Sequence, residues 1–226
     1  MKKQFAIAID GPSGAGKSTI AKRLAEELGF LYVDTGAIYR TVGLYIRRQG
    51  ADPQDAEQVT ALLNQIDIDL TYGEDGLQHM FLNGEDVTTA IREHIISDYA
   101  SKVSAIAQVR AFLLDMQRAS AEKYDVIMDG RDIGTLVLPN ADLKIYLTAS
   151  AESRAMRRCL ELQERGQQAE YEGVLRDIRD RDYRDMNRET APLRQAEDAV
   201  LVDTTEMDLE QSFAKVLEIV KEKFHE

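Results

Sequence analysis

The sequence predicts an α/β fold, a five-stranded parallel sheet flanked by helices. Three observations carry that reading. Five short apolar runs, Phe5 to Ile9, Phe30 to Val33, Val126 to Met128, Leu143 to Leu147 and Ala199 to Val202, each have the length of a strand buried on both faces. Helix-period patterns separate them. The first run leads straight into Gly11-Pro12-Ser13-Gly14-Ala15-Gly16-Lys17-Ser18-Thr19, a glycine-rich turn that opens a helix. Strands that alternate with helices fit a parallel sheet, because each parallel connection must cross a sheet face.

Taken in chain order, the helix over Thr19 to Leu28 follows from Ile20, Leu24 and Leu28 at i, i+4 and i+8. The second strand then ends in Asp34. From about Leu63 to Val87 the rhythm changes: Ile66, Ile68, Leu70 and Tyr72 alternate with polar residues, Gly73 to Gly76 offers a turn, and Asn83-Gly84 is a two-residue hairpin signal after Leu77 to Leu82. This stretch reads as a small antiparallel β insertion, with an ordinary sheet edge as the alternative. The chain divides into a core of about 1–62, 97–150 and 171–226, the insertion at about 63–96, and a segment at about 151–170 that follows the fourth strand. All of it fits one domain, since domains run to roughly 250 residues.

Composition narrows the function classes. No apolar run among the 226 residues approaches the roughly 18 that a membrane span needs. Met1, Lys2 and Lys3 precede an apolar stretch too short for a secretory signal. The one cysteine, Cys159, has no internal disulfide partner and suits a reducing compartment, so a cytoplasmic protein is expected. A net charge of -12 opposes nonspecific attraction to nucleic acid or an anionic membrane surface. Small anions need a local basic cluster, and arginines crowd two segments, Arg154 to Arg158 and Arg176 to Arg188. His79, His94 and His225 share no spacing that suggests a triad or metal site.

The turn at Gly11 to Thr19 matches the G-x-x-x-x-G-K-[ST] pattern of a P-loop NTPase. With glycine near 7% of residues, its fixed positions coincide by chance about once in a hundred chains of this length. Glycines let successive backbone N–H groups turn around an anion, and the helix N-terminus adds its positive dipole end. Lys17 is expected on the β and γ phosphates of ATP and Ser18 on Mg²⁺. None of Asn64, Asn83, Asn140 or Asn187 is followed by lysine, which disfavours a guanine-specific switch.

The carboxyl ends of parallel strands share one edge, where ligands bind. Asp34 to Arg40 and Asp129 to Thr135 therefore converge on the glycine-rich turn. Asp129 is expected as a carboxylate beside Mg²⁺, with a loop cap as the alternative. Arg131 and Asp132 face the ligand or form a local ion pair. Arg181, Arg184, Asp185 and Arg188 fall at i, i+3, i+4 and i+7, on one helical face, with Arg179 and Asp182 off it. That face either lines the site or is solvated and laced with salt bridges.

These motifs together, Gly11 to Thr19, Asp34 to Arg40, Asp129 to Thr135 and Arg181 to Arg188, resemble the bacterial cytidylate kinase family over nearly the whole chain. The resemblance implies transfer of the γ-phosphoryl group of ATP to CMP and dCMP, with Mg²⁺; a monomer is expected because no long apolar heptad suggests assembly. It implies that Tyr39, Arg40, Arg131 and Arg188 hold the acceptor phosphate, with Thr35 where relatives carry serine. Ser101, Arg110 and Asp132 would face the cytosine, Arg181 and Asp185 the sugar. Residues 151–170 look like a short helical lid, with Arg154, Arg157, Arg158 and Arg165 along it; Arg154 and Arg158 share a face toward the transferred phosphate, and the three helical arginines are not ranked. The insertion would bind the nucleoside monophosphate. A kinase for UMP or shikimate, and an ATP-binding regulatory subunit, are the competing classes.

Arginine forks suit a doubly charged phosphate because they bind it bidentately. A carboxylate at Asp132 accepts from the exocyclic amine of cytosine, whereas uracil presents an oxygen there. One tension remains: on a single straight helix Ser101 and Arg110 would lie about 180° apart. Both can face one pocket only if the helix breaks between them, and no Pro or Gly near Ala107 announces a break.

Overall fold

The computed structural model describes residues 4–73, 76–164 and 166–225, without the side chain of His225. Met1 to Lys3, the centre of the turn expected at Gly73 to Gly76, Arg165 and the His225 side chain lie outside the described residues.

Five parallel strands form the central sheet: β1 (Ala6–Asp10), β2 (Leu31–Asp34), β6 (Val126–Gly130), β7 (Leu143–Thr148) and β8 (Val200–Asp203), in the order β2-β6-β1-β7-β8. The strand that carries the P-loop is central, and its neighbours run parallel in register, with Asp10 beside Gly130 and Tyr146. One face packs Ile7, Ile9, Ile127, Ile145 and Leu147 against Ile20 and Leu24 of α1 (Lys17–Leu28) and Val216 and Val220 of α8 (Leu209–His225). The other packs Ala8, Val33, Val126 and Met128 on Ile133 and Val137. The expectation that all five strands are buried on both faces fails at β8. It lies at the sheet edge, with Val200 and Leu201 exposed and Val202 alone buried, in the cluster that includes Val216 and Val220 of α8.

Gly11 explains why the chain can leave β1 toward the P-loop. A Cβ at this position would lie 1.9 Å from the Leu147 carbonyl oxygen, and its φ of +150° also favours glycine. Gly11→Ala is therefore expected to cost about 4 kcal/mol or more of stability, the range of backbone strain and overpacking combined. Urea unfolding checks it, and a loss under about 1 kcal/mol would contradict the close approach.

A second core surrounds α2 (Thr35–Arg48). Asp34 caps this helix by accepting from the Ala37 N–H at 2.8 Å, and Arg47 and Arg48 suit its negative C-terminal end. Ile38, Val42 and Ile46 pack among Ile68, Met80, Leu82, Val87, Ile96 and Val103. The inserted sheet is antiparallel, with β3 (Ile68–Tyr72), β4 (Gln78–Leu82) and a two-residue β5 (Glu85–Asp86). Asn83 and Gly84 turn the β4–β5 hairpin with φ of 51° and 82°. The Gln78 amide binds both the N–H and the carbonyl of Asp34, which fastens this sheet to the end of β2. The short α3 (Ala56–Leu62), capped by Asp55, precedes it.

The break needed between Ser101 and Arg110 is present. Helix α4 (His94–Val103) stops, Ile106 adopts an extended conformation, and α5 (Ala107–Lys123) starts afresh. Ser104 makes the stop: its hydroxyl donates to the Ser101 carbonyl at 2.9 Å, and its own carbonyl accepts from Arg110 at 3.2 Å. Beyond β7, α6 (Ala151–Glu164) and α7 (Tyr171–Asn187) pack together as a helical hairpin. Among the described residues no helix is long and apolar enough to cross a membrane.

Candidate active site

A cleft of about 1360 Å³ opens along the carboxyl edge of the sheet. That exceeds the roughly 300–1,000 Å³ of a single small-molecule pocket. The P-loop forms one wall; the ends of β2 and β6, the α4–α5 break and α7 form the other.

On the P-loop wall, Gly14 and Gly16 take left-handed φ values of 76° and 86°, and Gly16 caps α1. Pro12, Ser13 and Ala15 complete the turn, and Ser13 to Thr19 line the cleft. Lys17 is buried, with Nζ donating to the Pro12 carbonyl at 2.7 Å. Burial, and then the nearby Arg131 charge, push its ammonium down to about 7. Ser18 donates to Asp129 at 2.9 Å and the Tyr32 hydroxyl to the other oxygen of that carboxylate at 2.8 Å. Burial, and then the Asp34 charge, raise the Asp129 carboxyl above its ordinary range.

The Lys17 shift predicts a proton linkage. At about pH 8 the ammonium is largely deprotonated, and triphosphate oxygens favour its charged form, so ATP binding is expected to take up about one proton. Calorimetric titration in two buffers of different ionisation enthalpy measures this. Equal uptake by the protein and by its Lys17→Met variant would assign the proton elsewhere.

The opposite wall is held by carboxylates. Arg40 pairs with Asp34 at 2.7 Å, Arg131 with Asp185 at 2.9 Å, and the buried Asp132 with both Arg110 and, at 3.4 Å, Arg188. Although burial raises it, Arg131 and Arg181 hold the Asp185 carboxyl below its usual value. Arg181 makes no ion pair among the described residues; burial, and then Arg131, bring its guanidinium down to about 10. Four buried side-chain atoms lack a partner among the described residues: Thr60 Oγ1, Ser101 Oγ, Arg110 Nε and Arg181 Nε. Three of these residues line the cleft, as expected where a ligand supplies the missing hydrogen bonds.

Ser101, Arg110, Arg131, Asp132, Arg181, Asp185 and Arg188 thus meet in one cleft, with Arg40 and Tyr39 beside them. The Arg181-Asp185-Arg188 face of α7 turns inward rather than into solvent, while Arg184 reaches Asp98 near the surface. Two details differ from a direct phosphate grip. Tyr39 lies 5.4 Å beneath the Arg110 guanidinium with its hydroxyl against Gln117, and Thr35 donates its hydroxyl to the Asp129 carbonyl at 2.7 Å.

The lid arginines separate. Arg154 is buried beside the P-loop, bonding the Ser13 carbonyl at 3.0 Å and Asp182 at 2.5 Å. Arg157 bonds the Thr204 and Met207 carbonyls, and Arg158 meets Glu161 at the rim. Asp182, off the main charged face of α7, is aimed at α6. Asp10 escaped the sequence reading, although it ends an apolar strand just as Asp34 and Asp129 do. Tyr32 and Ser104 gave no signal, because hydroxyls in or beside apolar segments are ordinary. Asp86 lies 3.3 Å from His79, on the exposed insertion and away from the cleft.

No cluster of three or more His, Cys, Asp or Glu among the described residues could hold a metal by itself. Ser18 with Asp129 nevertheless suits Mg²⁺, a hard cation that keeps water and phosphate ligands and needs one or two protein oxygens.

A cradle for one polyphosphate facing an arginine chamber for a second anion, over a parallel sheet, defines a P-loop phosphotransferase. Comparison with known proteins narrows this class: the cytidylate kinase family model matches residues 7–222, and the chain belongs to that family. The cytidylate kinase of Caldicellulosiruptor bescii is 52% identical over 217 residues, covering 96% of each chain. That of Carboxydothermus hydrogenoformans is 48% identical over 217 residues, 96% of this chain and 97% of its own. A solved structure of an uncharacterized protein from Eubacterium ventriosum shares the fold alone, at 12% identity and TM-score 0.52, covering 96% of this chain and 99% of its own.

Proposed function

We propose that the protein transfers the γ-phosphoryl group of ATP to the phosphate of CMP, giving CDP and ADP, and that it accepts dCMP as well. The observation that carries this reading is the single cleft in which Lys17 and the paired arginines face one another.

Phosphoryl transfer needs positioning and charge neutralisation more than covalent chemistry. Backbone N–H groups of Ser13 to Thr19 cradle the triphosphate within the Gly11 to Thr19 turn, and Lys17 contacts its outer phosphates. Arg40, Arg131 and Arg188 bind the acceptor phosphate and align its oxygen for in-line attack; Tyr39 and Thr35 support them, the one by seating Arg110, the other by tying α2 to the end of β6. Asp132 accepts from the cytosine amine while Ser101 and Arg110 complete the base site, and Arg181 and Asp185 bind the sugar. Ser18 and Asp129 would hold Mg²⁺, which would offset the negative charge of the phosphates.

The insertion at about 63–96 serves the nucleoside monophosphate side, and the lid at about 151–170 expels water that would otherwise take the phosphoryl group. Arg154, already against the P-loop, reaches the transferred phosphate by exchanging Asp182 for it, and Arg158 follows from the rim. The protein acts as a cytoplasmic monomer, with neither nucleic acid nor membrane as a partner.

A coupled assay of ADP release over CMP, dCMP, UMP, AMP and shikimate tests the proposal. Turnover with CMP and dCMP well above the others is expected. ATP binding without acceptor-dependent turnover, or preference for UMP or shikimate, would overturn it.

A further inference from the structure

We propose that Asp10 is a positioning residue for the acceptor side of this reaction: its two carboxylate oxygens fix the turn that aims Arg131 and Asp132 into the cleft. The proposal rests on the functional reading above.

Asp10 is the last residue of β1, buried one position before the P-loop. Its Oδ1 accepts from the Ile133 N–H at 2.8 Å and its Oδ2 from the Gly134 N–H at 2.7 Å. These two donors start the wide helical turn Ile133–Val137, so no preceding turn of helix supplies them with carbonyls. Buried without partners they would carry a full desolvation penalty. One carboxylate satisfies both, and in doing so fixes the backbone immediately after Asp132.

The other side of the turn is equally confined. A Cβ at Gly134 would lie 3.0 Å from Lys144 Cδ and 3.4 Å from Asp10 Oδ2. Lys144 in turn is anchored through Nζ to the Pro139 carbonyl at 2.6 Å and to Asp198 at 2.9 Å. The turn is therefore gripped between β1 and β7, and both of its exits toward the ligand depend on that grip. Asp132 takes an unusual φ of −147° and ψ of 26°, which sets where its carboxylate meets Arg110 and Arg188. Arg131, one residue earlier, meets Asp185. Although Asp10 adjoins the P-loop in sequence, its carboxylate hydrogen-bonds these two amides and, among the described residues, no P-loop atom.

The test is steady-state kinetics of Asp10→Asn and Asp10→Ala, run above the Asp10 pKa of about 6, with KM measured separately for ATP and CMP and with UMP as the competing acceptor. Loss of both hydrogen bonds in Asp10→Ala is expected to raise KM for CMP about tenfold or more and to narrow the CMP-to-UMP ratio of kcat/KM, with KM for ATP within about twofold. Asn keeps one acceptor and turns an amide N–H toward the other donor, so its defect should be intermediate and carry the same split. A merely structural residue would not separate the two substrates. Equal rises in both KM values, a rise for ATP alone, or no change for CMP would overturn the proposal; should Asp10→Ala fail to fold, the isosteric Asp10→Asn decides the matter by the same split. If the unaltered protein fails to phosphorylate CMP, the functional reading falls and this proposal with it. If it does so and the variants show no split, this proposal falls alone.

Discussion

Lys17→Met is expected to lower kcat about 10²- to 10³-fold, the loss seen when one preorganised donor to a developing anion is removed. The circular dichroism spectrum should stay that of the parent. The physical reason is the placement of Nζ. It is buried at the mouth of the P-loop, 2.7 Å from the Pro12 carbonyl, close enough to Arg131 that the two charges repel. Methionine fills a similar volume, so the turn keeps its packing while the charge that opposes the transferred oxygens disappears. A variant within about tenfold of the parent would mean that the arginines supply that charge by themselves.

Asp132→Asn is expected to lower kcat/KM for CMP about 10- to 100-fold while changing that for UMP much less, since an unmet buried polar group costs about 1–3 kcal/mol. Asparagine can turn its amide N–H toward a uracil oxygen but loses charge. The structure adds a second effect. Asp132 is the buried partner of both Arg110 and Arg188, so the substitution also leaves two guanidinium groups without their anion. Breaking such a pair costs about 3–5 kcal/mol, and a falling melting temperature should accompany the change in specificity. An unchanged ratio of CMP to UMP would take Asp132 out of base recognition.

Much of the site was legible because it is written in contiguous motifs. Gly11 to Thr19 names its own chemistry, and the polar ends of the apolar strands at Asp34 and Asp129 converge once the sheet is parallel. The inserted sheet was legible from alternation and from Asn83-Gly84. The α4–α5 break was not, because it is made by the Ser104 hydroxyl and by Arg110, residues common inside helices, rather than by Pro or Gly. β8 read as a buried strand because composition does not distinguish an edge from a centre.

Sequence by itself determined that a polyphosphate cradle follows a buried strand and that arginines lie in two later stretches, since such patterns depend only on neighbours along the chain. Tertiary structure alone decided what each charge faces: that Arg131 meets Asp185, that Arg154 meets Asp182 and the P-loop, and that Asp10 holds a turn 123 residues away. The reason is that an ion pair or a buried hydrogen bond depends on distance and desolvation, and both are set by packing between elements far apart in sequence.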